Sequence, residues 1–105
     1  MNTFEFEKTV NAQFSLCYDV LCEKAKQYSI GTDDRLHAFK VAADFQGITT
    51  KQALLGMLTK HLVSLSDMIA SDASYSEEIW SEKISDSINY LMLLKAIVIE
   101  EQQDV

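Results

Sequence analysis

The sequence predicts an all-α fold, a four-helix bundle, and three observations carry this prediction. Apolar residues recur with a period close to 3.6, and no stretch alternates convincingly at a period of 2. Proline is absent, and Gly31 and Gly47 lie where helices are expected to end. The segments between the periodic stretches are short and polar, which favours antiparallel neighbours. We therefore expect helices at about 3–29, 34–46, 50–70 and 76–101.

The first two predicted helices are separated by Gly31. The first is expected to end there, because glycine adopts the left-handed conformation of a helix C-terminus without strain. Thr32 or Asp33 is then expected to cap the second helix, which Gly47 closes. The apolar stripe of the first helix consists of Phe6, Val10, Phe14, Cys17, Leu21 and Tyr28.

The last two predicted helices each begin at a capping-box spacing. Thr49 with Gln52 precedes the third helix, and Ser74 with Glu77 precedes the fourth. From Ile88 onward the fourth helix is apolar nearly all round, as is typical of a helix that is central or covered by another subunit. We therefore expect a dimer or a tetramer.

Length, composition and charge restrict the function. A chain of 105 residues predicts one domain, 1–105, and its composition of 48% hydrophobic and 24% charged residues is that of a globular protein. A formal net charge of −7 repels a phosphate backbone, so we expect no nucleic-acid partner. The N-terminus lacks an apolar signal core, and the longest apolar run is far shorter than the ~20 residues of a membrane span. We expect a cytoplasmic protein with no membrane partner.

Three carboxylates in the fourth helix form the clearest candidate for chemistry. Glu78, Glu82 and Asp86 are four residues apart, so they stack on roughly one helix face, with Asn89 and Tyr90 close to the same line. Mg²⁺ or Mn²⁺ would relieve the repulsion, because both ions prefer oxygen ligands. A solvated acidic face, with Asn89 bonded to a neighbouring helix, is the alternative.

The third helix adds a polar stripe beside its apolar one. Lys60, Ser64 and Asp67 share this stripe, where Lys60 would neutralise a phosphate and Asp67 would bind a metal or orient a water. The alternative for Lys60 and Asp67 is that they are ordinary surface charges. The alternative for His61 is a hydrogen-bonded histidine in the core. Arg35, in the first loop, is equally consistent with binding an anion and with a structural role.

The segments 28–40, 53–67 and 80–94 resemble those of small phage and prophage proteins. Their most specific element is Lys60-His61 with Asp67 on one helix, followed by Asp86, Asn89 and Tyr90 on the next. Those proteins are grouped with the MazG-like all-α nucleoside triphosphate pyrophosphohydrolases and with phage nucleotide-modification-associated domains. The resemblance covers about 23–100. It implies a phage or prophage protein in a bacterial cytoplasm, forming a homo-oligomer with a nucleotide site between helices.

The resemblance also implies an activity, the Mg²⁺-dependent hydrolysis of a nucleoside triphosphate to monophosphate and pyrophosphate. Glu82 and Asp86 would hold the metal, and Asp67 would assist the metal or the water. Mn²⁺ is the alternative metal.

The residues that the resemblance assigns to the substrate lie on three segments. Lys60 would meet phosphate with His61 beside it, and Arg35 would cover the phosphates from the loop. Asn89 and Tyr90 would shape the base or sugar pocket.

The sequence departs from the MazG-like pattern in two places. The early acidic cluster, Glu-Glu-x-x-Glu, is missing, and the late pair is spaced Glu-x-x-x-Asp instead of Glu-x-x-Asp. One additional residue rotates Glu82 by about 100° around the helix. The alternative function is therefore a catalytically inactive protein of the same fold that binds a nucleotide, a nucleotide-derived signal or a host protein. A purely structural helical module is a third possibility.

Overall fold

The structure is a computed structural model that describes residues 1–23 and 31–103, and within them the predicted all-α fold is confirmed. Four α-helices are present there, with no strand: α1 (Thr3–Tyr18), α2 (His37–Gln46), α3 (Thr50–Ala70) and α4 (Glu77–Gln103). A π-helical turn, Asp19–Glu23, continues α1. The rest of the predicted first helix, and Tyr28 of its stripe, lie outside the described residues.

Two helices begin with a reciprocal capping box, because each of the two side chains satisfies a backbone N–H that has no partner inside the helix. Before α1, the Asn2 side chain accepts from the Glu5 N–H at 2.8 Å, and the Glu5 carboxylate accepts from the Asn2 N–H at 3.0 Å. Before α3, the Thr49 hydroxyl accepts from the Gln52 N–H at 3.2 Å, and the Gln52 side-chain oxygen accepts from the Thr49 N–H at 2.9 Å. The predicted box of α3 is therefore confirmed, as is the left-handed Gly47 that ends α2.

The predicted cap of α2 is wrong. The helix begins at His37, and Leu36 at its N-cap provides no side-chain hydrogen bond. The Asp34 carboxylate accepts from the Leu36 N–H at 2.9 Å, and the Thr32 hydroxyl accepts from the Asp34 N–H at 3.0 Å. These bonds hold a turn ahead of the helix, so neither Thr32 nor Asp33 caps it.

The cap of α4 is displaced by two residues from the predicted one. The Ile79 N–H donates to the Ser76 hydroxyl at 3.2 Å. Ser76 therefore takes the role predicted for Ser74. The helix itself begins at Glu77, one residue after the predicted start.

α4 lies between α1 and α3, and α2 packs against α3. α3 runs antiparallel to α4, since Lys51 at its start pairs with Glu101 at the end of α4 at 3.1 Å. α1 runs parallel to α4, since residues near the start of both helices line one cavity and Gln13 meets Ser85 further along. The core lies where α2, α3 and α4 meet, and consists of Leu36, Phe39, Leu54 and Ile97.

The predicted stripe of α1 is only partly covered by the described residues: Val10 and Leu21 are half-buried. Cys17 is buried, but Phe6 and Phe14 are 58% and 65% exposed. The radius of gyration is 16.0 Å, whereas a compact domain of this length has about 13 Å. The four helices therefore form an elongated, open arrangement.

Within the described residues, α3 is long and apolar enough to cross a membrane by length and composition. No membrane span was expected from the sequence. Length and composition do not distinguish a span from a helix that packs against other helices. α3 does pack, against both α2 and α4.

Candidate functional site

Three of the predicted site residues come together where α3 faces α4. His61 Nδ1 lies 3.6 Å from Asp86 Oδ2, too far for a hydrogen bond but close enough for a protonated imidazole to attract the carboxylate. The rings of His61 and Tyr90 have centroids 4.9 Å apart and are tilted by 33°. Phe39 of α2 meets Tyr90 edge to face at 6.1 Å. His61 is thus held between a carboxylate and an aromatic ring.

The spacing of α4 explains this arrangement. Asp86 and Tyr90 are four residues apart and lie one above the other on a single helix face. That face meets α3, so one side chain of α3 can contact both residues. The sequence predicted this pairing of residues only through the resemblance, because no local pattern gives the register of one helix against another.

Asn89 is the most unusual residue of the structure. It is 5% exposed, and in the described part of the chain neither its side-chain oxygen nor its side-chain nitrogen has a hydrogen-bond partner. Leaving a buried polar group unsatisfied costs about 1–3 kcal/mol, and such groups are rare in native proteins. The hydrogen bond from Asn89 to a neighbouring helix, one part of the predicted alternative, is therefore wrong; the other part, a solvated acidic face, agrees with the exposure of Glu78 and Glu82. The amide is therefore buried without a partner in residues 1–23 and 31–103.

The position of Asn89 follows from its neighbours along α4. Four residues earlier, the Ser85 hydroxyl accepts a hydrogen bond at 2.8 Å from Gln13 Nε2 of α1. Three residues earlier, Asp86 faces His61 of α3. Residues three and four apart share a helix surface. Asn89 therefore lies between the side of α4 that faces α1 and the side that faces α3. We call this region the Asn89 seam.

The other predicted residues lie around or away from the seam. Glu82 is exposed one turn before Asp86, and Lys60 and Asp67 are exposed on α3. The Arg35 guanidinium donates to the Leu21 carbonyl oxygen at 2.6 Å. Arg35 also lines a cavity of about 540 Å³. Within α4, only residues from Met92 onward line this cavity. The structure does not bring Arg35 together with His61, Asp86 and Tyr90.

A charged network that the sequence did not predict joins Asp34, ahead of α2, to the end of α4. Lys40 Nζ lies 2.8 Å from Asp34 Oδ2 and 2.6 Å from Glu100 Oε1. The hydrogen bonds with both carboxylates raise the pKa of Lys40 above its usual value. The bonds from Lys40 and from the Leu36 N–H lower the pKa of Asp34. Sequence spacing gives no sign of the contact with Glu100, which depends on tertiary packing.

The donor set fits a divalent cation only in part. Among residues 1–23 and 31–103, no group of three or more His, Cys, Asp or Glu side chains could hold a metal ion. Glu82 and Asp86 supply two carboxylates one helical turn apart. Mg²⁺ is usually bound through one or two carboxylates together with the phosphates of a substrate. This pair would therefore hold the ion only together with a phosphate-bearing ligand.

Comparison with known proteins found no match to this chain. No protein-family model matches the chain, and neither a curated protein nor a solved structure matches it. The resemblance drawn from the sequence stays a prediction.

Proposed function

We propose that this protein binds a nucleotide at the Asn89 seam. A single observation carries the proposal: a buried asparagine whose amide oxygen and nitrogen both lack a partner among the residues that the structure describes. An amide offers two donor hydrogens and an acceptor, and this pattern matches the edge of a nucleobase. A ligand that pairs with both atoms recovers the cost of burying them unpaired, which is about 1–3 kcal/mol per group.

The surroundings of the seam support a nucleotide over other ligands with amide-like edges. The His61 and Tyr90 rings lie next to each other on the α3 side, and aromatic faces stack on bases. Lys60 is exposed one residue before His61 and carries the positive charge that a phosphate requires. These are also the residue types that the MazG-like resemblance implies for a nucleotide site.

Access to Asn89 requires a local movement. Both amide atoms are enclosed in the free protein, so a ligand must displace side chains that cover the seam. On the α1 side the polar contact with α4 includes the hydrogen bond between Gln13 and Ser85. One such bond is worth only about 0.5–1.5 kcal/mol. A nucleotide that opens this contact has to offset at least this free energy.

Isothermal titration calorimetry tests the proposal with nucleoside mono-, di- and triphosphates, each with and without Mg²⁺. We expect at least one nucleotide to bind the wild-type protein. N89L should weaken that binding at least tenfold, or about 1.4 kcal/mol. S87A is the matched control. Ser87 is also buried on α4, but its hydroxyl donates to the Lys83 carbonyl oxygen at 3.1 Å, and S87A should bind as the wild type does.

Two outcomes contradict nucleotide binding at this seam. One is that no nucleotide binds a protein that circular dichroism shows to be folded. The other is that N89L binds as tightly as S87A.

A second candidate function is Mg²⁺-dependent hydrolysis of the bound nucleotide to monophosphate and pyrophosphate. The position of Asp86 favours it, because this half-buried carboxylate lies beside His61 and one turn from Glu82. Products would be separated by ion-exchange chromatography after incubation with Mg²⁺ or Mn²⁺. E82Q and D86N should abolish turnover while the helical content is kept. Absence of product from every nucleotide that binds would contradict hydrolysis and leave the binding proposal intact.

A further inference from the structure

Helix α1 is held to the rest of the described chain more weakly than the other helices are. Cys17 is its one buried residue, whereas the shorter α2 buries two residues and α3 and α4 bury four each. Two of its large apolar side chains, Phe6 and Phe14, are more than half exposed. Burial of apolar surface is the main force that holds a helix in place. α1 is therefore the helix that separates from its neighbours at the lowest cost.

The contact between α1 and α4 places Cys17 beside Asn89. Gln13 Nε2 donates to the Ser85 hydroxyl at 2.8 Å and lies 3.2 Å from Cys17 Sγ. Because the two helices run parallel, a step of four residues along each leads from Gln13 to Cys17 and from Ser85 to Asn89. Cys17 and Asn89 are both 5% exposed. Cys17 therefore faces α4 at the level of Asn89.

A thiol covers the buried amide without satisfying it. Cysteine is a weak hydrogen-bond donor and a weak acceptor, and Asn89 has no hydrogen-bond partner among the described residues. Moving α1 away from α4 therefore breaks no described hydrogen bond of Asn89. The movement gives its amide access to water or to a ligand.

A cavity of about 440 Å³ already lies between the first half of α1 and the start of α4. Its lining includes Gln13 of α1 and Glu77 and Ser81 of α4. The hydrogen bond between Gln13 and Ser85 lies at the inner end of this cavity. Asn89 lies one helical turn beyond Ser85. Separation of the two helices at this bond therefore extends the cavity toward the Asn89 seam.

The C-terminal end of α1 is anchored to the loop ahead of α2. The helix continues into the π turn Asp19–Glu23, and the Arg35 guanidinium donates to the Leu21 carbonyl oxygen in this turn at 2.6 Å. A hydrogen bond from a charged donor is stronger than one between neutral groups. Single π turns in helices frequently lie at functional sites. A pivot at this turn moves the first part of α1 away from α4 while its end stays attached.

We propose that α1 is a gate over Asn89 and that it opens by pivoting about the π turn Asp19–Glu23. In the closed state Cys17 covers the amide, and in the open state a ligand reaches the amide through the enlarged cavity. Opening exposes Cys17 to solvent whether or not a ligand is present. The role of α1 as a gate rests on the nucleotide binding proposed above, whereas its opening does not.

The gate connects affinity to the stability of the closed state. A site that is closed in most molecules binds its ligand more weakly, in proportion to the fraction of molecules that are open. A variant that weakens the closed state raises the open fraction and the affinity by the same factor. S85A is such a variant, because it removes the acceptor of the Gln13 amide and leaves Asn89 and Cys17 in place. The usual strength of one hydrogen bond corresponds to a factor of about two to ten.

Alkylation of Cys17 by iodoacetamide, followed by mass spectrometry, measures the opening without a ligand. The C22S background leaves Cys17 as the single thiol. We expect labelling through a local opening, faster than global unfolding allows and with a weaker dependence on urea. S85A in this background should accelerate labelling about twofold to tenfold. S87A is the matched control, because the Ser87 hydroxyl donates to the Lys83 carbonyl oxygen of its own helix, and it should leave the rate unchanged.

Isothermal titration calorimetry of the same substitutions connects the opening to the ligand. A nucleotide that binds the wild type should bind S85A about twofold to tenfold more tightly, by the factor that labelling of Cys17 shows. S87A should bind it as the wild type does.

Three results would overturn the gate. In the first, a nucleotide binds, but Cys17 is labelled with the rate and urea dependence of global unfolding; the nucleotide site then stands without the gate. This result needs no change at Ser85, so it decides even if S85A fails to fold. In the second, S85A is labelled, or binds the nucleotide, as S87A does. In the third, Cys17 is labelled by local opening but no nucleotide binds, which removes the nucleotide site and with it the role of α1 as its gate.

Discussion

Replacing Asn89 with leucine is expected to stabilise the free protein. The asparagine buries an amide oxygen and nitrogen that have no hydrogen-bond partner among the described residues. Leucine has a similar size and no polar atom, so N89L removes this penalty and adds apolar burial. We expect the free energy of unfolding to rise by about 1–3 kcal/mol, the cost of an unsatisfied buried group. For a domain of this size, each kcal/mol raises the melting temperature by about 4–8 °C.

Urea denaturation followed by circular dichroism measures this effect at a fixed protein concentration. The midpoint of N89L should rise with an unchanged dependence on urea. S85A is the contrasting variant. Ser85 is as buried as Asn89, but its hydroxyl accepts from Gln13. Its removal should lower the free energy of unfolding by about 0.5–1.5 kcal/mol. If N89L lowers the free energy of unfolding as much as S85A does, the Asn89 amide has hydrogen-bond partners in the free protein. The amide would then not be available to pair with a ligand.

Three further predictions concern the fold. L54A should lower the free energy of unfolding by about 2–5 kcal/mol in urea denaturation, because Leu54 is 1% exposed at the centre of the core. G47A should cost about 1 kcal/mol in the same assay, since residue 47 has φ 65° and a Cβ there meets nothing within 4 Å, so only backbone strain acts. The pKa of Asp34 is lower in the folded protein than its ordinary 3.8, so its contribution is complete above that pH and is lost as the pH falls toward the folded value. Acid titrations of thermal stability should show this loss in the wild type and not in D34N.

The sequence predicted most reliably what depends on neighbouring residues. The bounds of α3 match the expected 50–70, because the Thr49 box and the left-handed Gly47 before it act over a few residues. α2 begins later than predicted, since Asp34 bonds to the Leu36 N–H and holds a turn where Thr32 or Asp33 was expected to cap. Several side chains compete for such bonds, and spacing alone does not decide between them.

The candidate site depends on contacts between helices, and it was predicted only in part. Asp86 and Tyr90 share a face of α4, so their proximity was expected, and the packing of α3 brings His61 to both. The bond from the Arg35 guanidinium to the Leu21 carbonyl oxygen follows from tertiary packing and has no local sequence pattern, and the role of Arg35 at the phosphates stays a prediction. The sequence also could not predict that Asn89 has no hydrogen-bond partner among the described residues, because hydrogen bonds between helices leave no pattern in the local sequence.

The most direct test of nucleotide binding at the seam is the side-chain amide signal of Asn89 in a two-dimensional ¹⁵N–¹H NMR titration. N89L, which lacks this group, assigns the signal. The account predicts that a nucleotide which binds will shift the Asn89 side-chain resonances in proportion to its occupancy. An Asn89 signal that stays in place while other resonances shift would put the nucleotide elsewhere. A spectrum unchanged by every nucleotide would contradict the proposed function itself.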